Sequence, residues 1–467
     1  MTGWEAVIGC EIHVHLQTET KMFCRCATGF GDPENTRTCP VCLAHPGSLP
    51  VPNERAIEWT IRLGLALGCE IAPRAVFHRK NYFYPDNPKG YQISQYDEPL
   101  CISGSFAVPG PDGEKRVGIV RAHLEEDAAK NVHVGGSGGR IHGADRTLVD
   151  FNRAGTPLVE IVTAPDLHSA DEAKRFLQLL RQTVRELGIS SAEMQEGSMR
   201  FDVNVSVRPE GSDELRTRTE LKNINSFNFA AQGIDREIQR QIAIYEAGGE
   251  VEQETLHFVP GREDAPPLRS KEEAQDYRYF PEPDLVPIEP SAELVERARA
   301  DVGELPGARI ERLEAELGYA LAEGLVTSGR DELYSRTAGD RRTVANVIMN
   351  ELAAAAVDPA AVDPQELGKL VEARERIPRD AFTKALAASG DAGFSAQDYL
   401  GEALIADAAE LDPVIERVLA DNEDQAAAYR AGKEGLLGFL VGQVMRETQG
   451  KANPRIVNER LREKLKA

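Results

Sequence analysis

The chain has 467 residues, 41% of them hydrophobic, and 54 basic against 76 acidic residues give it a net charge of −22. That length supports two to four domains with their own cores, and the acidic excess argues against non-specific attraction to nucleic acid, so an RNA partner would be held by local basic patches. No apolar run reaches the roughly eighteen residues of a membrane span, Met1-Thr2-Gly3-Trp4-Glu5 does not open a secretory leader, and seven cysteines, four of them clustered, read as metal ligands or free thiols rather than a disulfide framework. The expectation is a cytoplasmic protein with no membrane association.

In chain order, the first predicted element is a strand over Cys10-Glu11-Ile12-His13-Val14-His15-Leu16. Period-2 alternation puts Glu11, His13 and His15 on one of its faces. Next, Cys24-x-Cys26 is followed by twelve residues and then Cys39-Pro40-Val41-Cys42. Two close pairs on turns can converge into a closed tetrahedral S4 site, which suits structural zinc; four free thiols are the alternative.

Arg79-Lys80-Asn81-Tyr82-Phe83-Tyr84-Pro85-Asp86 interleaves cations with aromatics, as does Asp276-Tyr277-Arg278-Tyr279-Phe280. Such segments serve phosphate binding or base stacking, or else pack a sheet edge under snorkelling basic side chains. Arg121 to Lys130 (RAHLEEDAAK) concentrates Glu125, Glu126 and Asp127, either as a solvated charge run or as part of an oxygen-rich site. The glycines at 135–139 have no Lys-Ser/Thr ending and read as a hairpin loop, and no Walker A or GxGxxG pattern occurs. Pro157 to Val162 is a strand in which Glu160 sits in an apolar run, so its carboxylate needs a cation or a donor.

A helix follows over about 169–187. Arg200 to Val207 is the clearest strand: Phe201, Val203, Val205 and Val207 alternate with Arg200, Asp202, Asn204 and Ser206. Thr217 to Asn223 alternates too, with Arg218, Glu220 and Lys222 sharing a face, and a second long helix covers about 228–247. Pro281, Pro283, Pro287 and Pro290 then end an α+β region at about 290. Short strands mixed with turns such as Pro109-Gly110-Pro111-Asp112-Gly113 argue against a regular βαβ repeat. Residues 291–400 read as a helical domain punctuated by Pro306, Pro359, Pro364 and Pro378, and 401–467 as a helical tail. In that tail Gly450 reads as a helix stop and Asn453-Pro454 as an N-cap followed by proline at the first helical position. Over 430–467, nine Lys or Arg stand against four Glu, a local basic patch or a solvated helix face.

Acidic and basic residues on strands far apart in sequence point to one polar cavity holding a divalent metal and a polyanionic substrate. Glu11, His13, Glu160 and Asp202, combined with the carboxylates of Glu125, Glu126 and Asp127, make an oxygen-rich Mg2+ site in which His13 is the unusual ligand or else a satisfied core histidine, and cations beside it give the composition of a phosphoryl-transfer site.

These segments resemble the GatB family, the B subunits of aspartyl/glutamyl-tRNA amidotransferases, over essentially the whole chain. The resemblance rests on Val7–Leu16, Arg79–Tyr96, His123–Lys130, Asp150–Val162, Glu196–Val207, Glu220–Phe227, Ser270–Leu285 and Gly438–Pro454. It implies an α+β, antiparallel-sheet catalytic cradle over 1–290 with a zinc knuckle at 24–42, a helical domain over 291–400, and a small helical-bundle tail over 401–467 that holds tRNA. The implied reaction is ATP-dependent transamidation of misacylated Glu-tRNA(Gln) or Asp-tRNA(Asn). In it the side-chain carboxylate is phosphorylated, and ammonia from a separate amidase (glutaminase) partner displaces the phosphate, while a third, small partner chain clamps the pair. Implied cofactors are ATP, Mg2+ and structural Zn2+. Implied ligands are Glu11, His13, Glu126, Glu160 and Asp202 for Mg2+, with Glu125 a lesser candidate because neighbouring strand residues face opposite ways, and Cys24, Cys26, Cys39 and Cys42 for Zn2+. Arg79, Lys80 and Lys222 are candidates for ATP, and Lys80, Arg153, Arg200 and Lys222 for catalysis. A tRNA-binding scaffold with a dead kinase site is the competing expectation, although all five ligand positions are filled by usable types. An aminoacyl-tRNA synthetase is disfavoured by the absence of HIGH-like and KMSKS-like signatures.

Overall fold

The structure, a computed structural model, describes residues 3–135, 143–222, 224, 226–257, 267–270, 276–400 and 408–466. The chain divides into two units, Met1–Arg309 and Ile310–Ala467.

The first unit is built on a nine-stranded sheet. Its strands are β1 (Trp4–His15), β2 (Glu70–Ile71), β5 (Cys101–Val108), β6 (Lys115–Glu126), β9 (Pro157–Thr163), β10 (Met199–Pro209), β11 (Thr219–Lys222), β12 (Glu254–His257) and β13 (Pro267–Ser270), in the order β13-β12-β11-β10-β1-β9-β6-β5-β2. Every neighbouring pair is antiparallel except β11 and β12. A parallel pair needs a crossover, and helix α3 (Phe227–Glu246) lies between these two strands in the chain. A three-stranded sheet, β14-β3-β4, joins Phe280–Pro281, Phe77–Asn81 and Tyr91–Gln95; β7 (Lys130–Val134) and β8 (Arg146–Asp150) form a hairpin. The hairpin expected around the glycines is thus present in its strands, while glycines 136, 138 and 139 lie outside the described residues.

Alternation decides which face of the large sheet is core. Ile8, Cys10, Ile12 and Val14 of β1 and Phe201, Val203, Val205 and Val207 of β10 are all buried, each worth about 1.5–3 kcal/mol for a large apolar side chain. Helices α2 (Ala170–Glu186) and α3 supply apolar partners, with Phe176 edge-on to Phe106 and Phe227 stacked on Phe201. Ser169 and Ser226 cap them, accepting from the backbone N–H groups of Glu172 and Phe229. The other face, bearing Glu11, His13, Arg200 and Asp202, is left for chemistry.

Helix α1 (Glu54–Ala66) packs on α4 (Ala292–Ala300) through Arg62–Asp301 (2.6 Å) and Arg297–Glu58 (3.9 Å). That contact carries the first unit past the boundary expected at 290, because α4 closes onto α1 instead of opening a new core. From Pro306 onward the described residues are mainly helical: α5 (Pro306–Leu317), α6 (Tyr319–Thr327), α7 (Asp331–Arg336), α8 (Arg341–Asn346) continuing as a π-helical turn over Val347–Leu352, α9 (Pro364–Ala373) and α10 (Arg379–Ala388). The last helices, α11 (Ala408–Asp421), α12 (Glu423–Arg430), α13 (Leu436–Glu447) and α14 (Pro454–Lys466), form a bundle around Leu411, Ile415, Leu440, Val444, Val457 and Leu461. The expected junction at 400/401 abuts residues 401–407, which lie outside the described set. Among the described residues no helix is long and apolar enough to cross a membrane.

Candidate active site and zinc knuckle

Strand register brings the polar face together. Across the sheet, Arg200 pairs with His13, His13 with Glu160 and Glu160 with His123; one step along, Asp202 pairs with Glu11. Directly opposed residues on one face have neighbouring side chains, so four strands deliver one cluster. The ligand atoms of Glu11, His13 and Glu160 lie within 4.8 Å of one another, and so do those of His123, Glu125 and Glu160. His13 Nε2 is 3.5 Å from Glu160 and 3.7 Å from Glu11; His123 Nε2 is 3.7 Å from Glu160 and 4.0 Å from Glu125.

The electrostatics of this cluster are those of crowded carboxylates. Burial, then the adjacent Glu160 charge, pushes the Glu11 carboxyl above its usual range, and burial does the same at Asp202 against the opposing pull of Lys222. Burial also disfavours the Glu160 anion, but His123 and His13 outweigh it and hold that carboxyl low. His13 is pulled down by burial and pushed further up by its hydrogen bond and charge interaction with Glu160, while burial keeps His123 on the neutral side. A divalent cation at the convergence of Glu11 and Glu160 would relieve this crowding. Carboxylate oxygens suit Mg2+, and the imidazoles are its less usual ligands.

Glu126 stands apart from the cluster. It follows Glu125 on β6, so its side chain points to the opposite face, where it accepts from the Ile93 backbone N–H (2.9 Å) and pairs with Lys89. Glu125 occupies the inner position instead, accepting from Gln92 (2.7 Å) and Ser94 (2.8 Å) of β4. Counting alternation from His123, a residue that its sequence context does not single out, selects Glu125.

The candidate cations divide in the same way. Lys80 is 4.0 Å from Glu125 and lies over the Tyr277 ring, with Tyr279 stacked on Tyr96 close by. Burial works against its charge, but Glu125, Tyr279 and Glu160 raise its pKa overall. Arg79, one residue earlier and facing the other way, gives its guanidinium fork to the fully buried Glu282 carboxylate (2.7 Å on both arms) and covers Tyr91. It thereby ties β3 to β14. Lys222 pairs with Glu220 (3.2 Å) and Asp202 (3.5 Å) at the rim of the cluster. Arg153 and Arg200 converge on Asp127, each at 3.3 Å, where His15 also meets it at 2.7 Å. Burial opposes the Asp127 charge, but Arg200, the His15 hydrogen bond and Arg153 hold its carboxyl well below the ordinary range. Arg153 also donates to the Ala128 and Ala129 carbonyls, which makes it a brace for that turn. Beyond Glu11 a cleft of about 370 Å3 runs along the same face, lined by Arg121, Asn204, Ser206, Arg216 and Arg218. Arg121, 3.6 Å from Glu160, alternates with His123 and Glu125 on β6, whereas Arg216 is a cation that no local pattern marks.

The four knuckle thiols, Cys24, Cys26, Cys39 and Cys42, lie within 4.8 Å of one another and form no disulfide. The Cys42 thiol is pulled down to about 4, first by its hydrogen bond with Cys24 and against burial. A set of four converging sulfurs with a ready thiolate fits a tetrahedral metal such as zinc.

In the tail, Asn453 caps α14 by accepting from the Arg455 N–H (3.0 Å), and Gly450 has φ of 78°, the left-handed conformation of a helix stop. Part of the basic patch is neutralised within the bundle: Arg460 pairs with Asp412 and Glu463, and Lys464 with Glu416 and Asp412. Over 401–467 as a whole, ten Lys and Arg stand against twelve Asp and Glu. Lys433, Arg446, Lys451, Arg462 and Lys466 remain exposed.

Comparison with known proteins adds the following. Residues 6–296 match the GatB/GatE catalytic domain and residues 332–465 match the GatB domain. The chain is 46% identical over 482 residues to the B subunit of the aspartyl/glutamyl-tRNA(Asn/Gln) amidotransferase from Geotalea uraniireducens (strain Rf4), covering 99% of each chain. It is 46% identical over 481 residues to the protein of the same name from Moorella thermoacetica (strain ATCC 39073 / JCM 9320), covering 99% of this chain and all of the relative.

Proposed function

The chain belongs to the GatB family, and on that premise we propose that it is the catalytic subunit of a tRNA-dependent amidotransferase that activates the side-chain carboxylate of Glu-tRNA(Gln) or Asp-tRNA(Asn) with ATP. The observation that carries this reading is the register-aligned convergence of Glu11, His13 and Glu160 with His123 and Glu125. A carboxylate is a poor electrophile; phosphorylation supplies a leaving group that ammonia can displace. The proposal draws its ammonia from an amidase partner, with a further small partner chain holding the two together, and places the work in the cytoplasm with the rest of translation.

Glu11, His13, Glu160 and Asp202, together with Glu125 in place of Glu126, would hold Mg2+. That ion would draw charge from the oxygens of the transferring phosphoryl group. The chain's own residues do the remainder. Lys80 and Arg121 flank the cluster from opposite sheets and present positive charge to an anionic group lodged there. The aromatic wall of Tyr96, Tyr277 and Tyr279 limits water around Lys80. Asp127, fixed by Arg153, Arg200 and His15, anchors the end of β6 so that Glu125 keeps its position. The exposed basic residues of α13 and α14 offer a surface for the tRNA body.

The test uses the chain with its amidase and small partner chains, each misacylated tRNA separately, ATP, Mg2+ and glutamine. Amidated aminoacyl-tRNA that requires ATP is the expected product, and the preferred tRNA identifies the substrate. Bound tRNA and intact partner glutaminase without product would replace this reading with a binding scaffold.

A further inference from the structure

Lys21 is one of the most deeply buried charged groups of the first unit, at 1% exposure. Its ammonium donates to the Arg37 carbonyl (2.8 Å), the Phe151 carbonyl (3.1 Å) and Cys42 Sγ (3.7 Å). Three N–H donors thus meet three acceptors, so its hydrogen bonds are complete. Its charge is not balanced in the usual way, because among the described residues no Asp or Glu forms an ion pair with it. An ammonium taken out of water without an anion costs several kcal/mol, so a counter-anion is required; Glu126, which lines the same cavity, is engaged by Lys89, and the group in contact with the Lys21 ammonium able to supply a negative charge is the Cys42 sulfur.

The knuckle has the complementary need. Four thiolates around one divalent ion leave two negative charges in excess, and buried metal ligands are held and tuned by donors behind them. The Cys39 and Cys42 sulfurs are 3.9 Å apart, close to the ~3.8 Å that ~2.3 Å zinc–sulfur bonds at tetrahedral angles give. The Cys39 backbone N–H also donates to Cys42 Sγ (3.2 Å), so this sulfur collects two donors.

The Phe151 contact points toward the catalytic sheet. Phe151 opens the turn that carries Arg153, which reaches Asp127. In the same turn the Gly155 N–H donates to the Asp127 carbonyl (2.8 Å), and the Gly155 carbonyl accepts from Met22, the neighbour of Lys21 (2.7 Å). The knuckle and the Asp127 brace are therefore fastened to one another at two adjacent residues.

We propose that Lys21 is the counter-cation of a tetrathiolate zinc centre and the positioning residue that fastens this centre to the Phe151–Gly155 turn beneath the catalytic cluster. The proposal rests on the zinc reading of the knuckle and is independent of the reaction assigned to the sheet. In the full-length chain, Lys21→Met should weaken zinc affinity, measured by chelator competition, by about 10–100-fold. In the cobalt-substituted chain it should also shift the sulfur-to-metal charge-transfer band, a signature that loss of packing alone does not produce. Unchanged zinc affinity together with an unmoved cobalt band would overturn the proposal. A measurement that needs no variant guards against Lys21→Met failing to fold: in the wild-type chain, Lys21 should resist amine acylation with zinc bound and become labelled after chelation, as read by peptide mass. Equal labelling in both states would overturn the link between Lys21 and the metal. A wild-type chain that retains no stoichiometric zinc would remove the premise, and the proposal with it, leaving the amidotransferase reading untouched.

Discussion

At the residue scale, neighbours in sequence do opposite jobs. Arg79 and Lys80 are adjacent on β3, yet one closes a buried ion pair with Glu282 and the other faces the carboxylate cluster. Arg79→Ala leaves the Glu282 carboxylate buried and uncompensated, so it should destabilise the first unit by about 3–5 kcal/mol, seen as a fall in the denaturation midpoint. Lys80→Met should instead lower the rate of product formation with a much smaller change in that midpoint. Glu160→Ala or Asp202→Ala should abolish acyl-phosphate formation and leave tRNA affinity within a few-fold; normal turnover in either variant would remove that residue from the metal set. Asp127 carries a pH dependence. Its folded carboxyl is held below its unfolded value, so its contribution to stability is full above about pH 4 and is lost as the pH falls toward the folded value. Asp127→Asn should flatten that acid limb in a pH series of thermal melts.

At the scale of elements, the polar face is a product of register. A slip of one residue between β1 and β9 would turn every side chain of one strand to the other face, separating His13 from Glu160 while leaving each strand's composition unchanged. Alternation in β10 is readable from Phe201 to Val207, as are the helices capped by Ser169 and Ser226 and the Asn453-Pro454 start of α14. The order of strands is not, since β1 lies between β10 and β9, two segments far away in the chain. The Asn453 cap offers a direct check on local stability. Asn453→Ala should cost α14 about 1 kcal/mol, measured as faster amide exchange in Arg455 to Asn458 with exchange in β1 unchanged.

At the scale of the whole molecule, charge composition misleads in one respect. The excess of Lys and Arg near the C-terminus shrinks once Arg460 and Lys464 are seen to pair with Asp412 and Glu416 of α11. Attraction for RNA then falls to fewer, exposed cations. Deleting residues 401–467 should weaken tRNA binding and reduce its salt dependence by roughly the number of phosphates those cations contact, while sparing glutaminase activity in the partner. Unchanged tRNA affinity would make this surface a solvated one.

Periodicity and spacing alone determined the alternating strands, the two long helices, the four-thiol knuckle, the helical texture expected from about residue 291, the shared polar face of Glu11 and His13, and the need of the Glu160 carboxylate for a cation or donor within its apolar run, because each is a local pattern of side-chain direction or chain stiffness. Only the tertiary structure decided that Glu125 rather than Glu126 joins His123 at the cluster, that Arg79 belongs to Glu282, that Arg121 lines the adjoining cleft, and that Lys21 sits behind Cys42. Those outcomes depend on which strands become neighbours and on which buried charge finds a counter-charge, and both are settled by contacts between residues far apart in the chain.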